Sequence, residues 1–123
     1  MNKLVILIST SAAVLALGAV AFTPVAAARS DRAASTTVTV KGGEFFFRLS
    51  RKTLATPGAV TFRFKNIGHV AHDFKIDGKK TKLVSPGKSA SLAVRFKAKG
   101  KYAYSCTVPG HAAAGMKGMF TVR

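Results

Sequence analysis

Short segments in which apolar and polar residues alternate one by one recur through the chain, and they constrain the fold more than any other feature. Val60, Phe62 and Phe64 alternate with polar or charged neighbours, and the segment 92–96 repeats the pattern. A period of two is typical of a β-strand with one buried face. Pro-Gly and Asp-Gly pairs separate these segments, as expected of tight turns.

Seven or eight such segments follow one another after residue 35, and no stretch there has the period of a helix. This pattern predicts an all-β domain over residues 36–123, an antiparallel Greek-key β-sandwich or small barrel of seven to eight strands. We expect its core to contain most of the phenylalanines, namely Phe45, Phe46, Phe47, Phe62, Phe64, Phe74 and Phe96.

The first 28 residues have the order of a secretory signal peptide. Lys3 supplies a positive charge, residues 4–22 are largely apolar, and the alanines at 26–28 fit a cleavage site. Cleavage would leave 95 of the 123 residues, with residues 29–35 as a flexible leader. An uncleaved segment would instead tether the domain to a membrane. The sequence therefore predicts an exported protein in the periplasm, outside the cell or at its surface.

A β-domain of this size has a thin core and is often stabilised by disulfides or a metal. Cys106 is the only cysteine, so no disulfide can form within the chain. In an exported protein such a thiol indicates an intermolecular bridge, a reactive thiol or a metal site. A buried, inert thiol is the alternative.

Cys106 opens a segment in which soft donor residues recur at intervals of five, as Cys106, His111 and Met116. All three lie in one loop between two predicted strands. Thiolate, imidazole and thioether together suit copper, and two histidines, one cysteine and a weak axial methionine are the pattern of type 1, or blue, copper sites. Met119 is the alternative axial ligand, but we expect its side chain to point into the core beside Phe120.

The second imidazole must come from His69 or His72, because the chain has three histidines. His72 opens a predicted strand that continues to Ile76, which would hold the ring against the core. His69 lies in the preceding loop, and we expect it to be exposed to solvent. The predicted metal ligands are therefore His72, Cys106, His111 and Met116.

These segments resemble the cupredoxins, the small blue-copper proteins. His72-Asp73-Phe74 is similar to the His-Asn-Phe strand of that family, and residues 102–106 are similar to its aromatic-rich approach to the cysteine. The spacing of the ligand loop is most like that of rusticyanin and sulfocyanin. The resemblance covers residues 36–123 and implies one copper ion that cycles between Cu(I) and Cu(II) in electron transfer, without enzymatic activity.

Asp73 stands where many cupredoxins have asparagine. An ionised carboxylate close to copper would favour Cu(II) and lower the reduction potential. An aspartate that accepts hydrogen bonds from backbone N–H groups would instead replace asparagine in holding the ligand loop. The sequence leaves both interpretations open.

The chain carries 20 Lys and Arg against four Asp and Glu, a formal charge of +16. Such a field speeds encounter with anionic partners. We expect a monomer that meets redox proteins with acidic docking surfaces, such as a c-type cytochrome or a terminal oxidase, through an apolar patch around His111. An anionic membrane surface is a second candidate. Nucleic acid is not expected, because the basic residues are not interleaved with stacking aromatics.

Two other functions stay open. A protein that stores or delivers copper would bind Cu(I) preferentially and exchange it easily. A metal-free sandwich that binds polyanions is suggested by the charge alone. The copper enzymes that share the cupredoxin fold unit need additional histidine ligands, and three histidines, two of them already assigned, do not supply them.

Overall fold

The computed structural model describes residues 34–123, and this region is built from β-strands. Its nine strands are β1 (Thr36–Gly43), β2 (Phe46–Leu49), β3 (Thr53–Leu54), β4 (Gly58–Asn66), β5 (Lys75–Ile76), β6 (Lys79–Lys80), β7 (Ser89–Phe96), β8 (Gly100–Ser105) and β9 (Lys117–Val122). No helix within residues 34–123 is long and apolar enough to cross a membrane. The predicted signal peptide and residues 29–33 of the predicted leader lie outside the described residues.

The strands form two sheets that enclose the core. One sheet has the order β2-β1-β4-β7 and the other the order β3-β9-β8-β5-β6. In the first sheet the alternating apolar residues, such as Val38 and Val40 of β1 and Phe62 and Phe64 of β4, are fully buried. The predicted all-β sandwich is confirmed, because one face of each long strand is apolar and only packing two such faces together buries both.

The sheets are mixed, although the sequence pattern predicted antiparallel pairing. β1 runs parallel to β4, and β3 runs parallel to β9. The described region also contains nine strands, where seven to eight were predicted, because β3, β5 and β6 have two residues each. A period of two identifies the buried face of a strand, but it carries no information about the direction of the neighbouring strand.

Aromatic rings fill the centre of the sandwich. The ring of Phe62 lies 5.2 Å from that of Phe74 and 5.4 Å from that of Phe120, measured between centroids. Phe96 stacks on Phe120 at 5.5 Å. Aromatic pairs at these separations add to the free energy gained from burial.

Two phenylalanines that were predicted to lie in the core do not. Phe45 is 45% exposed, and Phe46 is half-buried. Successive side chains of a strand point to opposite faces, so the run from Phe45 to Phe47 cannot turn every ring inward. Phe47 contacts the core, whereas Phe45 has a positive φ of 68° in the turn between β1 and β2.

The strand predicted over residues 72–76 is also shorter than expected. Only Lys75 and Ile76 belong to β5, whereas His72 forms an isolated bridge with Val84. His72 is therefore held by one isolated bridge outside the strands.

Tyr104 and Gly118 are opposite residues of β8 and β9, and their packing leaves no room for a larger residue at position 118. A Cβ atom built on Gly118 would collide with the phenol ring of Tyr104, 2.8 Å from its Cε2. The ring cannot easily move away, because the rings of Phe47 and Phe74 pack against it, with centroids 5.8 and 5.6 Å from its own. Glycine is therefore required here by the close approach of the Tyr104 ring.

We predict that Gly118→Ala lowers the free energy of unfolding by about 1–3 kcal/mol, because overpacking a rigid site forces side chains out of place. Urea unfolding followed by circular dichroism measures this change. The matched control is Gly58→Ala, where an added Cβ has no atom within 4 Å, and it should stay within about 0.5 kcal/mol of the parent protein. Equal stabilities for the two variants would contradict the packing argument.

Candidate metal centre

The side chains of His72, Cys106 and His111 converge beside the end of β8. Their donor atoms all lie within 4.8 Å of one another. The Nδ1 atoms of the two histidines are 3.0 Å apart, and the Cys106 Sγ atom lies 3.7 Å from Nδ1 of His111 and 4.0 Å from Nδ1 of His72. The structure thus brings together three of the four predicted ligands around a common point.

The loop that follows Cys106 is folded back on itself by its own backbone. The Cys106 N–H group donates to the Met116 carbonyl at 3.0 Å, and the Met116 N–H group donates to the His111 carbonyl at 3.0 Å. Met116 is fully buried next to the cluster, whereas Met119 is 48% exposed. The prediction that Met119 points into the core is wrong, because it alternates with the buried Phe120 along β9. This placement favours Met116 as the axial ligand.

The Cys106 thiol is closed off from solvent. The residue is 2% exposed, and burial raises the pKa of its thiol. The thiolate is the form that binds metals, so a bound metal ion must displace the proton. This burial limits the reactivity of the thiol when no metal is present.

His72 is fully buried and is held through its backbone. Its N–H group donates to the Val84 carbonyl at 3.1 Å, and its carbonyl accepts from the Val84 N–H group at 2.8 Å. The buried Asn66 side chain donates to the carbonyls of Val70 and Val84, both at 2.8 Å. Asn66 was not among the residues predicted from the sequence.

Asp73 connects the His72 segment to the Cys106 loop. Its carboxylate accepts a hydrogen bond from the Thr107 N–H group at 2.6 Å and another from the Thr107 hydroxyl. Its second oxygen also lies 4.0 Å from Lys80 Nζ. Of the two interpretations of Asp73, the geometry supports the one in which it takes over the bracing role of asparagine.

Glu44 is the second residue that sequence reasoning missed. Its Oε1 atom accepts hydrogen bonds from the backbone N–H groups of His69 at 2.7 Å and Val70 at 3.1 Å, and it lies 3.2 Å from Nε2 of His72. The two backbone donors, His69 first, lower the pKa of this carboxyl to about 2. No local pattern could have identified Glu44, because it precedes His72 by 28 residues.

The other histidines differ sharply in exposure. The His69 side chain is 96% exposed, as predicted, and it is not part of the cluster. His111 is half-buried, and the Phe45 ring packs edge-on against it at 5.4 Å. His111 is therefore the part of the cluster that is nearest to solvent.

The chemistry of the donor atoms indicates which metal the site binds. One thiol, two imidazole nitrogens and a buried thioether are soft or borderline ligands, which copper accepts in both of its common oxidation states. Calcium and magnesium require oxygen ligands, and the nearby Glu44 carboxylate is bonded to the far nitrogen of His72 instead. The residues present fit a single type 1 copper site.

Two curated proteins share short stretches of sequence with this chain. Auracyanin-B of Chloroflexus aurantiacus is 50% identical over 42 residues, which are 34% of this chain and 18% of that protein. The copper-resistant cuproprotein CopI of Pseudomonas aeruginosa is 43% identical over 49 residues, which are 40% of this chain and 27% of that protein. The matches therefore span less than a third of either relative's length.

Solved structures match over a larger part of the chain. Reduced auracyanin from Roseiflexus castenholzii superposes with a TM-score of 0.65 at 26% identity, covering 72% of this chain and 98% of that one. Auracyanin B superposes with a TM-score of 0.60 at 26% identity, covering 72% and 88% of the respective chains. These matches confirm the predicted cupredoxin fold.

The chain also matches the sequence model of a protein family. The model described as copper binding proteins of the plastocyanin/azurin family matches residues 30–123, which contain all nine strands of the described region and every residue of the cluster. The chain belongs to the plastocyanin/azurin family of copper binding proteins.

Proposed function

We propose that this protein is an exported one-electron carrier whose single copper ion is held by His72, Cys106, His111 and Met116. The observation that supports this most directly is the convergence of a buried thiol and two imidazole nitrogens within 4.8 Å. When bound, copper would supply the exchange of one electron between Cu(I) and Cu(II). It would carry that electron between exported redox partners and would catalyse no reaction of its own.

The residues that surround the cluster keep the ligands in place. Asp73 links the two ligand segments through Thr107, Val84 fixes the backbone of His72, and the backbone of Met116 closes the loop. A site that is held by its surroundings changes little when the charge of its metal changes. Fixed ligands of this kind favour rapid electron exchange.

Electrons would enter and leave through the exposed side of His111. The apolar Phe45 ring contacts the His111 ring, and the apolar Ile67 and Val70 lie on the loop that is hydrogen-bonded to Gly42 and Glu44, next to Phe45 in the chain. Phe45, Ile67 and Val70 are 45–47% exposed. An exposed apolar area of this kind is typical of an interaction surface.

A row of basic residues crosses the sheet next to this surface. Lys41 lies directly opposite Arg48 on one side and Lys65 on the other, and all three are exposed. Like charges directly opposite each other destabilise a sheet. The neighbouring register positions, Gly42 and Asn66, lead into the loops around the cluster. We infer that this basic row attracts an acidic surface of the redox partner.

Copper delivery is the second candidate function, because one relative that matches is named as a copper-resistant cuproprotein. The burial of Cys106 and Met116 argues against it. A delivery site must release its metal to a partner, and here two sulfur ligands are closed off from solvent. Slow loss of Cu(I) to a chelator supports the carrier, and rapid loss supports delivery.

Adding Cu(II) to the metal-free protein should produce an intense blue colour, with absorption at roughly 600 nm, that arises from the copper–thiolate bond. We predict that Cys106→Ser abolishes this band and that Met116→Leu shifts it and alters the reduction potential. Met119→Leu is the matched control and should leave the spectrum unchanged, since its side chain is exposed. Colour that survives in Cys106→Ser would disprove the proposed site.

Electron transfer to an acidic redox protein should slow as salt is added, because the attraction is screened. Reversing two charges of the basic row, as Lys41→Glu with Lys65→Glu, should lower the association rate about tenfold or more at low salt. The control pair, Arg95→Glu with Lys101→Glu, makes the same change in net charge away from the cluster, and its effect should be much smaller. Stopped-flow kinetics measures both, and equal effects would refute docking at the basic row.

A further inference from the structure

We propose that Glu44 is a positioning residue that fixes the His72 ring with Nδ1 directed at copper and lowers the reduction potential of the site. The inference rests on the copper site proposed above and assigns a role to a residue outside the ligand set. It is drawn from three features of the described region: the contact between Glu44 and His72, the backbone cradle that holds the carboxylate, and the placement of the other acidic side chains.

The first feature is the contact to the far nitrogen of His72. Glu44 Oε1 lies 3.2 Å from Nε2 of His72, while Nδ1 of the same ring faces His111 Nδ1 and Cys106 Sγ. A neutral imidazole carries its proton on one nitrogen, and a carboxylate acceptor keeps that proton on the nitrogen it contacts. The lone pair of Nδ1 is then directed into the cluster.

The second feature is that the carboxylate is itself held rigidly. The backbone N–H groups of His69 and Val70 donate to Oε1 at 2.7 and 3.1 Å. Gly68 leaves the space that the carboxylate occupies, since a Cβ atom there would collide with Oε1 and lie 2.8 Å from Cδ. The segment from Gly68 to Val70 thus forms a backbone cradle for Glu44, and hydrogen bonds to an ionised group of this kind are strong.

The third feature is that Glu44, and not Asp73, is the acid in contact with a ligand ring. Asp73 follows His72 in the sequence, but its oxygens are engaged by Thr107 and lie near Lys80. A negative charge that is hydrogen-bonded to a ligand imidazole increases its donation to the metal. Stronger donation stabilises Cu(II) more than Cu(I) and therefore lowers the reduction potential.

Glu44→Gln tests this directly, because it keeps the size of the side chain and removes its charge. We expect the copper protein to keep its blue band, while its affinity for Cu(II) falls about 10- to 100-fold and its affinity for Cu(I) falls less. A tenfold difference between the two losses raises the ratio of Cu(I) to Cu(II) tenfold at a fixed electrode potential, a shift of about 59 mV for a one-electron couple. Voltammetry on the full chain measures the shift.

Two further variants separate the effect of the Glu44 charge from the effect of its position. Gly68→Ala keeps the Glu44 charge but fills the cradle, so the potential should rise here too. Asp77→Asn removes one negative charge from the turn between β5 and β6 and should leave the potential unchanged. Nitrogen chemical shifts of the His72 ring in the Cu(I) protein should report a weakened hydrogen bond at Nε2 in Glu44→Gln and Gly68→Ala alone.

The outcomes distinguish this inference from the proposed function. A wild-type protein with no blue band overturns the copper site itself. A blue Glu44→Gln protein with the potential and ring shifts of the wild type overturns the role of Glu44 and leaves the copper site standing. If Glu44→Gln does not fold, Gly68→Ala decides the question by the same two measurements.

Discussion

The hydrogen bonds from Thr107 to the Asp73 carboxylate join the two segments on which the metal centre depends. Asp73 follows His72 and Thr107 follows Cys106, so this contact sets the separation of the two ligands. Asp73 is 4% exposed, and losing the Thr107 donors would leave this buried carboxylate with only Lys80 at 4.0 Å, at a cost that exceeds the worth of an ordinary hydrogen bond. The cluster is therefore assembled in part by contacts outside the ligand set.

The proposed ligands stand out in the sequence because three of them lie in one loop at regular intervals. Cys106, His111 and Met116 span eleven consecutive positions, and the chemistry of their side chains identifies the metal. The supporting residues have no such signal. Glu44 reaches His72 across 28 residues, and Asn66 reaches the Val84 carbonyl across 18. Contacts of this kind are created by the folded sheets, and a single sequence does not display them.

The fold, too, could be predicted only in part, because the sequence shows local patterns and not the contacts between distant segments. Alternation along β1, β4 and β7 identified the faces that pack together, but the parallel pairing of β1 with β4 depends on how distant segments meet. The errors at Phe45 and Met119 have different causes. Met119 alternates with the buried Phe120 along β9, whereas Phe45 lies in the turn between β1 and β2. Apolar character alone therefore overestimates the core.

The turn between β1 and β2 has a consequence for how this protein can diverge from its relatives. Glu44 and Phe45 are adjacent, yet the first contacts His72 and the second contacts His111. The positive φ of Phe45 sends the two side chains to different histidines. In the proposed mechanism, the residue that tunes the reduction potential and a residue of the docking surface are therefore adjacent, on a surface turn that lies outside the core. In that mechanism, exchange of this dipeptide gives natural variation a route to reset the energy of an electron or its destination without replacing a ligand.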